Sequence, residues 1–130
     1  MSDLFIKGTS SSPEIDFKTS GELTIGGKSI PENANKLFEP IVKWLEDYSC
    51  ERTVFSVKLE YFNTSTSKIL YDILKDMESR HKKGNLIIKW YYEEGDEDVL
   101  DAGQYYESLM QTSFEYYVMS EQEMMDFYEN

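Results

Sequence analysis

One cysteine, one histidine and three prolines are all that this 130-residue chain has of those residue types. A lone Cys50 cannot close an internal disulfide, so no oxidising compartment is implied. A lone His81, beside Lys82 and Lys83, reads as a polar residue at a helix end. With one His and one Cys in unlike contexts there is no Cys₂His₂ metal set. No nucleophile-elbow sequence offers His81 a catalytic serine. No stretch approaches the roughly 18 apolar residues of a membrane span. Residues 1–12 lack the charged-then-apolar layout of a secretion signal. Together these absences lead us to expect a cytoplasmic protein with no membrane contact and no cofactor.

Positive charge is the last absence. All 13 Lys and Arg lie between Lys7 and Lys89, where 13 acids balance them; residues 90–130 carry the remaining 12 of 25 acids and no Lys or Arg, giving the net −12. Such a segment repels phosphates, so nucleic acid is not an expected partner. It reads either as a solvated acidic face or as a docking surface for a basic partner.

What is present suffices for a core: 40% of residues are apolar and 15% aromatic. The length suits one domain over residues 1–130. After a polar, turn-rich opening, Glu14-Ile15-Asp16-Phe17 and Glu22-Leu23-Thr24-Ile25 alternate as half-buried strands about the turn Thr19-Ser20-Gly21, a hairpin that Gly26-Gly27 closes. Leu37, Phe38, Ile41, Val42, Leu45 and Tyr48 form a helical stripe within residues 31–50, capped by Asn33 or Asn35 and interrupted by Pro40. Residues 53–62 alternate most cleanly. Ile69, Leu70, Ile73, Leu74 and Met77 predict a helix running to Lys82, Lys83 and Gly84. Leu86 to Tyr92 reads as a buried strand, Val99 to Met110 as a helix and Phe114 to Met119 as a last strand; Ser120-Glu121-Gln122-Glu123 resembles a capping box opening a short helix. The order β-β-α-β-α-β-α-β predicts an α/β fold, one mixed sheet with packed helices.

Most apparent motifs fail on spacing or context. In Gly26-Gly27-Lys28-Ser29, Glu22 stands where a phosphate loop needs its first glycine. Asn63-Thr64-Ser65 has the form of a glycosylation acceptor, with no secretion signal to accompany it. The Glu93–Asp98 loop lacks the glycine and glutamate spacing of an EF-hand. The run Asn63-Thr64-Ser65-Thr66-Ser67 survives. It joins a strand to a helix, where Thr64 or Ser65 could cap free N–H groups, and where a phosphate would meet a helix N-terminus. Capping and switching are compatible.

Around that run the chain resembles a known family. Gly8-Thr9 with Pro13, Pro31-Glu32-Asn33-Ala34 with Leu37-Phe38, Trp44-Leu45, Tyr61-Phe62-Asn63-Thr64-Ser65-Thr66-Ser67-Lys68 and Trp90-Tyr91-Tyr92-Glu93 carry the resemblance. It is to the SiaC-type regulatory phosphoproteins, similar in layout to the STAS domains of anti-sigma-factor antagonists. The resemblance implies a STAS-like fold and no enzymatic activity. It implies reversible phosphorylation of Thr64, a partner Ser/Thr kinase, a metal-dependent Ser/Thr phosphatase, and a signalling target such as a diguanylate cyclase. Asn63 and Ser65 would then position the site, with Thr66 and Ser67 beside them. Glu32 and Asn33 should lie close, because the loop entering the first helix leaves the same sheet edge.

Two other functions remain open at this point. One is an anti-sigma-factor antagonist using the same switch on a different partner. The other is a small ligand-binding protein or enzyme whose pocket is lined by Tyr91, Tyr92, Tyr105, Tyr106 and the acidic Glu93–Asp98 loop.

Overall fold

A computed structural model of the chain describes residues 1–129, with side chains as far as Asp126. Alternation sets the strands. Along β4 (Thr53–Phe62) the first eight positions alternate buried and half-buried. The buried set, Phe55, Val57 and Leu59, faces the helices, while Ser56, Lys58 and Glu60 face away. The same pattern recurs in β2 (Glu14–Phe17), β3 (Glu22–Ser29) and β5 (Leu86–Glu93). With β1 (Leu4–Ile6) and β6 (Phe114–Met119) they make one six-stranded sheet whose spatial order is the chain order.

The first two pairings are antiparallel and the next three parallel, so the sheet is mixed. Helices α1 (Ala34–Asp47), α2 (Thr64–Ser79) and α3 (Glu97–Ser108) are the crossovers between parallel strands. All three share one core cluster with the same face of the sheet. The core runs from Ile15, Phe17 and Leu23 through Phe38, Ile41, Leu70 and Leu74 to Trp90. Gly103 lets α3 close on the sheet, since a Cβ there would stand 2.7 Å from the Trp90 ring, whose Nε1 donates to Val99 O at 2.9 Å. The other face is largely polar. On it Tyr91 and Tyr117 stack at 5.0 Å, with the Lys58 and Lys89 ammoniums 4.7 Å and 5.8 Å from their ring centroids.

The structure departs from the sequence reading in three places. The polar opening contains β1, held to β2 with Leu4 opposite Phe17 and Ile6 opposite Ile15. The strand order therefore gains one member at the front. Next, β3 does not stop at Gly26-Gly27. It continues to Ser29 through a register shift after Gly27, whose φ of 91° is open to glycine at little cost. Third, α2 ends at Ser79, before the lysines and Gly84, which lie in the turn leading to β5. The C-terminal carbonyls of α1 are reached instead by Arg80, whose guanidinium donates to Leu45 O and Tyr48 O. In α1 one of the two expected caps is used: Asn33 caps a helix that starts at Ala34, and Pro40 lies inside it.

A short helix α4 (Glu121–Glu129) follows β6. Its capping box is present: Ser120 Oγ accepts from Glu123 N at 3.1 Å, and Glu123 Oε1 accepts from Ser120 N at 3.4 Å. His81 closes a hydrogen-bonded chain at the opposite edge. Its Nδ1 donates to Met77 O at 2.7 Å, and its Nε2 lies 2.6 Å from Thr53 Oγ1, itself 2.7 Å from the Tyr48 hydroxyl. No helix among the described residues is long and apolar enough to cross a membrane.

Candidate functional site

Parallel strands β3 to β6 end along one edge of the sheet, and each hands over there to a helix. Four helix N-termini gather at this edge, behind Asn33, Asn63, Asp96 and Ser120. An N-terminus offers free N–H groups and partial positive charge. Carboxylates already stand in the first turns of α3 (Glu97, Asp98) and α4 (Glu121, Glu123); the first turns of α1 and α2 contain none.

At α2 the cap is Asn63, and not Thr64 or Ser65. Asn63 Oδ1 accepts from Thr66 N at 3.0 Å and from Ser65 Oγ at 3.1 Å. Its amide donates to Pro31 O at 3.1 Å, and its backbone N–H to Ser29 O at 3.0 Å. Asparagine supplies an acceptor and two donors on one planar group, so it can cap a helix and clamp the neighbouring loop together. That use of the amide moves the cap off the hydroxyls.

The four hydroxyl residues divide accordingly. Thr66 is fully buried; its Oγ1 donates to Ser29 O at 3.2 Å and lies 2.8 Å from Ser29 Oγ. Ser67 is half-buried, 2.5 Å from the Tyr106 hydroxyl, which donates in turn to Ser67 O at 2.7 Å. Burial pushes the Tyr106 pKa up, against the lowering effect of the Ser67 bond, so the phenol stays a donor at neutral pH. Ser65 is exposed and spends its proton on Asn63. Thr64 is exposed, and its hydroxyl makes no hydrogen bond among the described residues. Thr66 and Ser67 are therefore anchors of the helix start, and Thr64 is its available hydroxyl.

Glu32 and Asn33 fall where the shared edge places them. Both are exposed, in the loop whose Pro31 carbonyl is bound by Asn63. Asn33 caps α1 through Lys36 N at 3.1 Å. Sequence reading missed Ser29 and Tyr106. Neither carries a local signal, because each meets the hydroxyl run from more than 30 positions away. Lys68, four residues after Thr64, is exposed on the same face of α2.

The proposed aromatic-acidic pocket does not form. Tyr91 lies on the open face stacked on Tyr117, Tyr92 packs toward the core, Tyr105 is exposed and Tyr106 is buried against α2. The acids of the C-terminal segment are also spread out. Asp96 caps α3 at 3.1 Å from Val99 N, and Glu107 accepts from Phe114 N at 2.6 Å and from the Tyr116 hydroxyl at 2.9 Å. A concavity of about 1040 Å³ has a rim of mixed charge including Lys7, Lys28, Glu60 and Glu93 and none of the hydroxyl run. We give it no role in the chemistry at Thr64, because volume without convergent groups is not a site.

Comparison with known proteins agrees with this geometry. A model described as SiaC family regulatory phosphoprotein matches residues 6–119. An uncharacterized protein of Pseudomonas aeruginosa strain UCBPP-PA14 is 34% identical over 110 residues, covering 80% of this chain and 86% of its own. The solved structure of SiaC of Pseudomonas aeruginosa superposes with a TM-score of 0.75 at 31% identity, over 92% of this chain and 99% of that one. A chain in the crystal structure of the diguanylate cyclase SiaD in complex with its activator SiaC, from the same organism, gives 0.77 at 31% identity, over 91% and 99%.

Proposed function

The chain belongs to the SiaC family of regulatory phosphoproteins, and on that premise we propose that it is a non-enzymatic, cytoplasmic switch, one regulatory domain over residues 1–130, in which reversible phosphorylation of Thr64 controls binding to a signalling partner. The observation that carries this reading is the division of the hydroxyl run. Of four neighbouring hydroxyl residues, Thr64 alone is both exposed and uncommitted. A kinase can take its hydroxyl without breaking a bond of the fold. The added group carries about −1.5 to −2 charge. It arrives at a helix start with no carboxylate in its first turn.

SiaC of Pseudomonas aeruginosa is the activator of the diguanylate cyclase SiaD and forms a complex with it. By that similarity the partner of the unphosphorylated chain is a diguanylate cyclase or a comparable signalling enzyme. A Ser/Thr kinase adds the phosphate and a metal-dependent Ser/Thr phosphatase removes it. Asn63 sets the start of α2 and Ser65 steadies Asn63. Glu32 and Asn33 flank the site, as part of the surface the partner reads.

The test is to treat the purified chain with the kinase from its gene neighbourhood and ATP, then map the phosphate by tandem mass spectrometry. One phosphate on Thr64, and none on Thr64→Ala, is expected. Phosphate on Ser65 or elsewhere, or full labelling of Thr64→Ala, overturns the assignment.

A further inference from the structure

We propose that the outer edge of β6 docks an extended segment of another protein, one that alternates cationic and apolar residues and joins the six-stranded sheet as a further strand. This goes beyond the switch at Thr64 and does not rest on it. The two edges of the sheet are unlike. At one, β1 is three residues long and is followed by Lys7, a short edge with a cation beside it, which discourages pairing. At the other, β6 is six residues long, with no Lys, Arg or Pro and no break in its register with β5. Val118 is 58% exposed and Tyr117 38%, so α4 leaves this edge open.

Hydrogen bonding fixes which backbone groups of β6 point outward. Met119 O accepts from Glu94 N, just past the end of β5, at 2.7 Å, so the backbone of Met119 is turned toward β5. Successive residues of a strand turn their N–H and C=O to opposite sides. The backbones of Glu115 and Tyr117 therefore also face β5, and those of Phe114, Tyr116 and Val118 face away. One outward group is already met: Phe114 N donates to Glu107 Oε2 at 2.6 Å. The N–H and C=O of Tyr116 and of Val118 have no hydrogen bond among the described residues. They stand two residues apart, as the ladder to a further strand requires.

Charge and side-chain direction define the occupant. Residues 90–130 carry 12 acids and no Lys or Arg. On the open face of the sheet β6 presents Glu115 beside Tyr117, whose hydroxyl donates to Glu115 Oε1 at 2.6 Å. On the other face it presents Tyr116, packed against the core, and the exposed Val118. An added strand sets its cations beside Glu115 on the first face and its apolar side chains beside Tyr116 and Val118 on the second. Main-chain bonds then supply affinity, and the alternation supplies selectivity. A second copy of this chain fits poorly. Pairing two β6 strands would bring two cation-free stretches together, and like charges across strands repel.

The experiment uses the full chain and a fluorescein-labelled, end-capped peptide of alternating lysine and valine, about eight residues long. One control has the same residues in two blocks; the other has glutamates for the lysines. Binding is read by anisotropy and located by amide hydrogen exchange. The alternating peptide should bind saturably, about tenfold or more tighter than either control. At saturation, exchange should slow at the Tyr116 and Val118 amides. Val118→Pro removes an outward N–H and leaves the ladder to β5 intact, so the melting curve should hold while binding weakens about tenfold. Amides of Tyr116 and Val118 that stay unprotected at saturation overturn the proposal. So does equal affinity for the block control, or unchanged affinity in folded Val118→Pro. A dimer of the chain alone that Val118→Pro dissolves would give the edge to a second copy and overturn it as well. Should Val118→Pro not fold, the exchange result on the wild-type chain decides alone.

Discussion

Two helix starts stand side by side on the same sheet edge and meet the same need differently. Behind α3, Asp96 caps with a carboxylate, and Glu97 and Asp98 follow in the first turn. Behind α2, a neutral Asn63 caps, and Thr64, Ser65 and Thr66 follow. Both caps satisfy N–H groups. Only the first also places fixed negative charge against the helix dipole. The α3 start is electrostatically finished, whereas the α2 start is hydrogen-bonded but left without charge. A phosphate at α3 would join three carboxylates; at α2 it supplies what the sequence left out. The difference shows how one fold can leave some of its helix starts without fixed charge, and it is at one of these that we place the switch.

The largest expected effect comes from filling that opening. Phosphorylation of Thr64 should weaken partner binding by roughly a hundredfold, about 3 kcal/mol, because the anion must be desolvated at the interface. Within the folded chain the same anion gains only about 0.3–1 kcal/mol from the helix start. Titration calorimetry should therefore show a large affinity loss while the melting temperature barely moves. A fall in melting temperature that parallels the affinity loss would mean local unfolding and remove the contrast.

Next in size is the cap itself. Asn63→Ala removes bonds to Thr66 N, Ser65 Oγ and Pro31 O, and should cost about 1–2 kcal/mol in urea denaturation. Thr64→Ala breaks no hydrogen bond and should stay within about 0.5 kcal/mol. Equal losses in the two variants would place the cap on Thr64 after all.

Removing the charge from the finished start should have a smaller effect. Asp96→Asn keeps an acceptor for Val99 N and loses the carboxylate, for a cost of about 0.3–1 kcal/mol at low salt. The loss should shrink as salt rises. Partner affinity should hold, and a change comparable to that from Thr64 phosphorylation would show that the two starts are not distinct.

The smallest expected effect lies at the far end of α2. Burial works to raise the pKa of Glu78. Hydrogen bonds from Thr112, Lys75 and Gln111 outweigh it, and the pKa falls below its ordinary 4.5. Since the folded value is the lower one, this stabilisation is complete above the ordinary value and is lost as pH falls through the folded one. Melting temperatures of the wild type and Glu78→Gln should differ most near neutrality and converge in acid. Curves that stay parallel down to the acid limb would exclude a charged Glu78 as the cause.

Local pattern accounts for what could be read in advance. The strand Thr53–Phe62 shows in its alternation, and the nearness of Glu32 and Asn33 to Thr64 follows from strands ending at one edge. The first strand did not show, because three residues are too few for a period and its partners sit a turn-rich stretch away. Sequence reading also put the α2 cap on Thr64 or Ser65, where the structure has Asn63. The choice is made by Pro31 O, a loop carbonyl that engages the asparagine amide. The links from Ser29 to Thr66 and from Tyr106 to Ser67 are tertiary, and the second crosses from α3 to α2. For the same reason local pattern could not tell which of the four hydroxyls is exposed and uncommitted; their surroundings do.

Sheet order and chain order coincide, and this bears on how the protein is made. Each strand pairs with its predecessor, so none has to wait for a later partner as the chain leaves the ribosome. Every loop closure spans a single hairpin or crossover, which keeps the entropy of closure small. The segment around Thr64, built from the ends of β3 and β4 and the start of α2, has its Ser29–Thr66 and Pro31–Asn63 links in place before the cation-free stretch after Lys89 is synthesised, and only the Ser67 link to Tyr106 waits for that stretch. The acidic remainder is then added to a template that already exists. The segment in which we propose the switch is thus mostly an early part of the assembly.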